Sequence, residues 1–253
     1  MIQLFNTVLY QPIFNLLVWL YNVIPGHDIG IAIILLTIVI KAILYPFSLQ
    51  SIKAQKSMKD LQPKIEELKK KFKGQKDVLA REMMQLYKKE KINPMSSCLP
   101  LLIQFPFLIA VFRVFRTGLG EGSLDMLYSF VHNPGALNPI SFGFLDLSKP
   151  QVALAILAGA AQYWQAKMMV TKQPPKQVEN KEGAKDEGMA AAMNKQMLYL
   201  MPVITVIIGL TLPGGLALYW LVTTLLMVAQ QKYFFKKDGG REVVPVQANQ
   251  ENK

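Results

Sequence analysis

The sequence predicts an all-α integral membrane protein: five transmembrane helices, a cytoplasmic helical hairpin and an amino-terminal interfacial helix. Three observations predict it. Half of the 253 residues are apolar (51%), yet the chain carries 28 Lys and Arg against 17 Asp and Glu, a net charge of +11. Those charges stand in blocks between apolar runs, the pattern of a membrane protein with basic loops. The blocks are also one-sided. Thirteen Lys and Arg fall in 48–96, five in 171–196 and four in 235–253, against none in 1–28, two in 116–151 and none in 213–215. By the positive-inside rule the amino terminus is outside and the carboxyl terminus cytoplasmic.

Within 1–28, residues 4–22 (LFNTVLYQPIFNLLVWLYN) mix apolar and aromatic side chains with Asn6, Gln11, Asn15 and Asn22, and carry no charge. Pro12 is expected to interrupt the helix. The segment reads as a helix along the outer interface with Trp19 and Tyr21 at headgroup level; a sixth span is the competing reading. Pro25-Gly26 and His27-Asp28 then end it. Span 1, 29–47 (IGIAIILLTIVIKAILYPF), covers roughly 28 Å at helical rise, about the thickness of a bilayer's hydrocarbon core. Lys41 lies inside it. A charge at the centre of a lipid-embedded helix costs about 2.5–3.5 kcal/mol on insertion scales. Two readings stand. The long stem snorkels to an interface, or Thr37, Lys41, Tyr45 and Ser48 form one polar stripe facing a hydrophilic surface within the membrane.

In 48–96, Met58, Leu61, Ile65, Leu68 and Phe72 recur at helical spacing, Gly74 breaks the pattern, and Leu79, Met83 and Leu86 resume it before Asn93-Pro94. Two amphipathic helices in an antiparallel hairpin follow. The hairpin's positive surplus suits anionic lipid, or a docking surface for protein or ribosomal RNA. Span 2, 97–115, holds Pro100, Gln104, Pro106 and, near its outer end, Arg113. Gln104 is read either as an interhelical hydrogen bond or as a site residue. In the external loop 116–151, Phe142, Phe144 and Leu145 are placed in the outer interface. Span 3, 152–170, offers Ala155 and Gly159 as a close-packing face. The linker 171–196 is Pro-, Lys- and Glu-rich, and mobility is expected of it. Span 4, 197–212, and span 5, 216–234, are joined by the turn 213–215 and are expected as antiparallel neighbours. Tyr219, Trp220, Thr223 and Thr224 put a polar side on span 5; for Tyr219 and Trp220 an aromatic belt is the alternative.

The missing chemistry narrows the function. No Asp or Glu occurs in the five spans, which disfavours a cation-coupled transporter. HExxH, GxSxG and Gly-rich phosphate loops are absent, the single Cys98 cannot form an internal disulfide, and His27 and His132 join no motif. No cleavable signal or lipid-attachment cysteine is read at the amino terminus. A single positive site also makes a poor anion channel. What remains is a cationic, hydroxyl- and amide-bearing surface without catalytic machinery: not an enzyme, and no small-molecule substrate. Such a surface suits a polypeptide in transit, whose backbone needs hydrogen-bond partners in lipid.

The stretches LLTIVIKAILYP, LQPKIEELKKKF, KINPMSSCLPLLIQFPF, LYLMPVI and LPGGLALYWLV stand in the order and spacing of the YidC membrane protein insertase family, which the chain resembles over roughly residues 5–235. The resemblance implies five spans around a hydrophilic groove open to cytoplasm and lipid but closed outside, in a bacterial plasma membrane, with no cofactor or metal. It implies an insertase for nascent membrane proteins, working with membrane lipids, the Sec translocon and, through the hairpin, the ribosome. A membrane chaperone that packs helices delivered by the translocon is the alternative. By position Lys41 stands where the family has a groove arginine, and Thr37, Gln104, Tyr219 and Trp220 fall on other groove positions. Met168 falls near the substrate path. Lysine keeps the charge but lacks the planar fork for bidentate carboxylate contacts. The large external domain of some members and a long basic tail are not present in this sequence.

Overall fold

Helices dominate the chain, as the apolar and amphipathic periodicities require. The computed structural model describes residues 2–72, 74–90, 99–117, 123–169 and 196–238. Their order is α1 (Ile2–Phe5), a π-helical turn (Asn6–Tyr10), α2 (Gln11–Val23), α3 (Ile29–Ile43), α4 (Tyr45–Lys71), α5 (Lys76–Lys89) and α6 (Leu99–Thr117). A two-stranded hairpin follows, β1 (Ile140–Ser141) antiparallel to β2 (Leu145–Asp146), and then α7 (Val152–Met169). A second π turn (Gln196–Leu200), α8 (Met201–Gly209) and α9 (Gly214–Asp238) complete it.

The expected span 29–47 is not one straight helix. α3 stops at Ile43, and the chain turns by 69° at Leu44 into α4. Pro46 is the cause: it has no N–H to give the Ala42 carbonyl, and its ring crowds that carbonyl. Among the described residues no single helix is long and apolar enough to cross a membrane. The bent pair α3–α4 passes that test together, and Gln104–Val114 and Leu198–Gly209 are shorter apolar stretches.

Pro12 does not interrupt its helix either. The chain is helical from Ile2 to Val23, and the strain shows as the π turn just before Pro12. Trp19 is exposed, whereas Tyr21, expected at headgroup level, is buried against the core together with Phe14, Leu17 and Val18. α2 packs on α3 and α6 and is part of the core.

α7 is the central strut, lying along both α8 and α9. The tight turn was expected to make the last two spans neighbours. Instead they meet mainly near that turn, with α7 between them. Small residues permit this: a Cβ on Gly159 would lie 2.4 Å from Val206 Cγ2, and one on Gly209 2.9 Å from Ala155 Cβ. Ala155 and Gly159 therefore form the close-packing face read from the sequence. α9 also begins earlier and ends later than expected, so Gly214 and Gly215 belong to the helix.

The hairpin forms as read. α4 and α5 pack antiparallel around Gly74, whose φ of +83° favours glycine. Leu61 and Ile65 are buried, and Lys64 pairs with Glu90 at 2.5 Å across the two helices. Asn93-Pro94, Cys98, most of the linker 171–196 and the tail beyond Asp238 lie outside the described residues.

Candidate functional site

Three helices converge on one polar set. Lys41 (α3) donates from Nζ to Gln104 Oε1 (α6) at 3.0 Å, and Gln104 Nε2 donates to the hydroxyl oxygen of Tyr219 (α9). The second bond fixes the amide: with Nε2 turned to Tyr219, the carbonyl oxygen must face the ammonium. Lys41 is 8% exposed and Tyr219 1%. The cation is thus held by an amide dipole, which does not neutralise it. A carboxylate partner would have cancelled its charge; an amide does not.

The other expected residues divide. Thr37 lies one turn from Lys41 on the same face, fully buried, and its hydroxyl donates to the Ile33 carbonyl at 2.7 Å. Its proton is engaged within its own helix. Trp220 is half-buried beside Tyr219, and its carbonyl accepts from the Thr224 hydroxyl at 2.9 Å. Met168 stands apart from the set: its carbonyl accepts from Lys59 Nζ at 3.1 Å, beside the base of the hairpin. The continuous stripe through Tyr45 and Ser48 is also broken, because both lie beyond the bend at Leu44. Tyr45 is exposed, and Ser48 Oγ donates to Gln230 Oε1 at 2.8 Å.

Two polar contacts were not foreseen. Thr205 donates to Gln162 Oε1, joining α8 to α7. Arg113 Nη1 donates to Asn6 Oδ1 at 2.9 Å, with the guanidinium 5.4 Å from the centre of the Phe5 ring. Asn6 opens the π turn, so that irregularity aims it at α6. Both contacts use polar residues within apolar runs, a signal the sequence carried without naming the partners.

The amino-terminal end of α3 is bound to the loop 123–151. Asp28 caps α3, its Oδ1 accepting from the N–H of Gly30 (2.8 Å) and Ile31 (3.0 Å) and from Ser141 Oγ (2.5 Å). Oδ2 accepts from the Phe142 N–H at 2.5 Å. Burial works to raise the Asp28 pKa, but the bonds from Ser141, Phe142, Ile31 and Gly30 together outweigh it and hold the carboxyl below its ordinary 3.8. A Cβ on Gly30 would fall 2.0 Å from Ser141 Oγ, so this approach needs glycine. Asn15 joins the same closure, accepting from the Tyr128 N–H at 2.6 Å and donating to the Met126 carbonyl at 3.1 Å. At the same end, the start of α9 is tied to this loop, with the N–H groups of Gly214 and Gly215 donating to the carbonyls of Lys149 and Leu147.

Known proteins share this chain's sequence over most of its length. A model of the family described as 60Kd inner membrane protein matches residues 19–240. The membrane protein insertase YidC of Fusobacterium nucleatum is 33% identical over 231 residues, which is 90% of this chain and 98% of that protein. Those of Magnetococcus marinus and Mannheimia succiniciproducens are 34% and 35% identical over 231 residues, but the matches cover only 36% of each. The chain therefore spans nearly all of the first relative and little more than a third of the other two. A match of this extent, carried by both a family model and full-length identity to a relative, places the chain in the 60Kd inner membrane protein family, that of the YidC membrane protein insertases.

Proposed function

We propose that this chain is a membrane protein insertase in which Lys41, held by Gln104 and Tyr219, attracts the polar or acidic flank of an arriving hydrophobic segment. The observation that carries it is the buried cation held by a neutral amide, in apolar runs that contain no carboxylate. Two opposite charges about 6 Å apart attract by roughly 3 kcal/mol at an effective dielectric near 20, comparable with the cost of keeping the lysine there. Such an attraction is strong enough to draw a flank in and weak enough to release it.

On this reading α3, α6, α7, α8 with its leading π turn, and α9 are the five spans, and the polar set faces a groove open to cytoplasm and lipid. α3 has 15 residues, about 22 Å, shorter than a hydrocarbon core of about 30 Å. Helices this short call for a locally thinner bilayer, which would shorten the path of a crossing flank. The loop closure around Asp28 supports a groove sealed on the outside. Nascent membrane proteins and lipids are the partners this implies; the Sec translocon and a ribosome meeting the basic hairpin are further proposed ones. The test is reconstitution into liposomes without a translocon. An insertase carries a substrate's flank to protease-protected space unaided. A chaperone of already inserted helices leaves it accessible, and that result would overturn the proposal.

A further inference from the structure

The polar set does not end at Tyr219. Along α9, Tyr219, Thr223, Met227 and Gln231 recur every four residues, one face of the helix running about 18 Å toward the base of the hairpin. That face is occupied by polar side chains that are buried yet incompletely bonded. Gln231 is fully buried; its Nε2 donates weakly to Gln55 Oε1 at 3.4 Å, and its Oε1 has no partner. Thr223 Oγ1, 6% exposed, lies near the Tyr219 hydroxyl but out of bonding geometry with it. Ser51, 1% exposed, has an unpartnered Oγ and stands on α4 between Ser48 and Gln55, the two residues that reach Gln230 and Gln231. The remaining member, Met227, is half-buried and accepts from Gln165 Nε2 through its sulfur at 3.7 Å, a weak contact.

Buried polar atoms are bonded in the great majority of cases, so two exceptions on one face of α9 and a third on α4 ask for an occupant. The line offers alternating donors and acceptors: Ser51 Oγ and Thr223 Oγ1 provide hydroxyls, Gln231 Oε1 a carbonyl. An extended polypeptide backbone presents a matching alternation of N–H and C=O groups. It also shares the direction of the line, from the hairpin base to Lys41.

We propose that Gln231, with Thr223 and Ser51, forms a backbone-binding track that receives the extended flank of a substrate at the cytoplasmic mouth and passes it to Lys41. The 3.4 Å bond to Gln55 is the one an arriving chain displaces at Gln231. The proposal rests on the insertase reading and adds binding residues to it.

The test uses the full chain in proteoliposomes and a stalled substrate carrying a neutral, extended flank of about ten residues. A photo-crosslinking residue replaces Met227, on the track, or Thr37, beside Lys41. Crosslinks from both positions are expected, with Gln231→Leu lowering the yield at 227 and the insertion rate about fivefold, the loss of roughly one hydrogen bond. Gln231→Asn should recover part of it, and Thr223→Val should act in the same direction. Crosslinks at 37 but not at 227 would overturn the track and leave the insertase reading standing; none at either would remove both. A purely structural Gln231 is told apart by Gln55→Leu, which deletes its hairpin partner. If Gln55→Leu reproduces the full defect of Gln231→Leu, Gln231 only positions the hairpin and the proposal fails.

Discussion

Lys41 illustrates what a single residue can and cannot disclose. Its charge, its place in an apolar run and its helical neighbour Thr37 were legible, because all three depend on spacing alone. Spacing alone does not give its partner, since Gln104 is 63 residues along the chain and Tyr219, which bonds Gln104, a further 115; only the family resemblance set the three on one groove. The geometry now sharpens the test. Lys41→Arg is expected to retain insertion, Lys41→Glu to abolish it, and Lys41→Gln to slow acidic flanks about tenfold or more while sparing neutral ones, read as protease-protected substrate. Equal rates for both flanks in Lys41→Gln would reduce Lys41 to an anchor. Asp28 gives a second prediction, at the outer end. Its folded carboxyl titrates below the ordinary 3.8, so the stabilisation it gives is full above that pH and is lost as pH falls through the folded value. Asp28→Asn should therefore lower the unfolding temperature in detergent at pH 6, and the gap from the unsubstituted protein should close as the pH is taken down past the ordinary 3.8 and through the lower folded value. A gap that stays constant over that range would mean that the carboxylate contributes nothing as an anion.

At the scale of elements, periodicity was a better guide than boundaries. The hairpin's apolar positions were read correctly from three- and four-residue steps, and the structure buries Leu61 and Ile65 at the centre of that face. Substituting both by Ser should cost about 2 kcal/mol or more for each. Protease cleavage within 48–96 should rise while the spans still insert, and an unchanged cleavage pattern would show that the helices are held by other contacts. The bend at Leu44 was missed because hydropathy continues smoothly across Pro46: an apolar window registers the composition of Tyr45, Pro46 and Phe47 but not a lost backbone hydrogen bond. The packing of α7 against α8 was half legible. Ala155 and Gly159 announced a close face, but only the fold names Val206 as what fills it. Gly159→Ala should lower the unfolding temperature by overpacking, a cost of about 1–3 kcal/mol. Val206→Ala in the same chain should recover most of the loss, because it removes the methyl 2.4 Å from the new Cβ. Failure of that recovery would place the strain on the Pro202 carbonyl, 3.1 Å away, instead.

For the molecule as a whole, the proposed orientation rests on charge arithmetic. The Lys and Arg asymmetry needs no structure at all. On the poorly charged side the structure adds bonds from Asn15 to Tyr128 and Met126, from Asn22 to the His132 carbonyl at 2.6 Å and from Asn138 N–H to Tyr21 Oη at 3.2 Å, beside those of the Asp28 carboxylate. The opposite end carries cations laid on aromatic rings, Lys232 at 4.3 Å from the centre of Trp164 and Lys59 at 5.7 Å from that of Phe235. On the proposed reading, the loop-covered end with exposed Phe130 and Phe144 faces outward and the basic end bearing the hairpin faces the cytoplasm. Single cysteines in a Cys98→Ser background test this directly. Phe144→Cys and Thr211→Cys, both exposed positions, should react with an impermeant thiol reagent from outside intact cells. Met84→Cys, exposed on α5, should react only after the membrane is opened. Gly214 is a poor choice for the outer turn, because its Cβ would lie 2.6 Å from Gln151 Cγ and a silent cysteine there would report burial, not sidedness. Outside labelling of Met84→Cys would invert the whole assembly. Inside labelling of Thr211→Cys alone would instead require another crossing before α8, and the uncharged amino-terminal helix is the segment of the right composition to supply it.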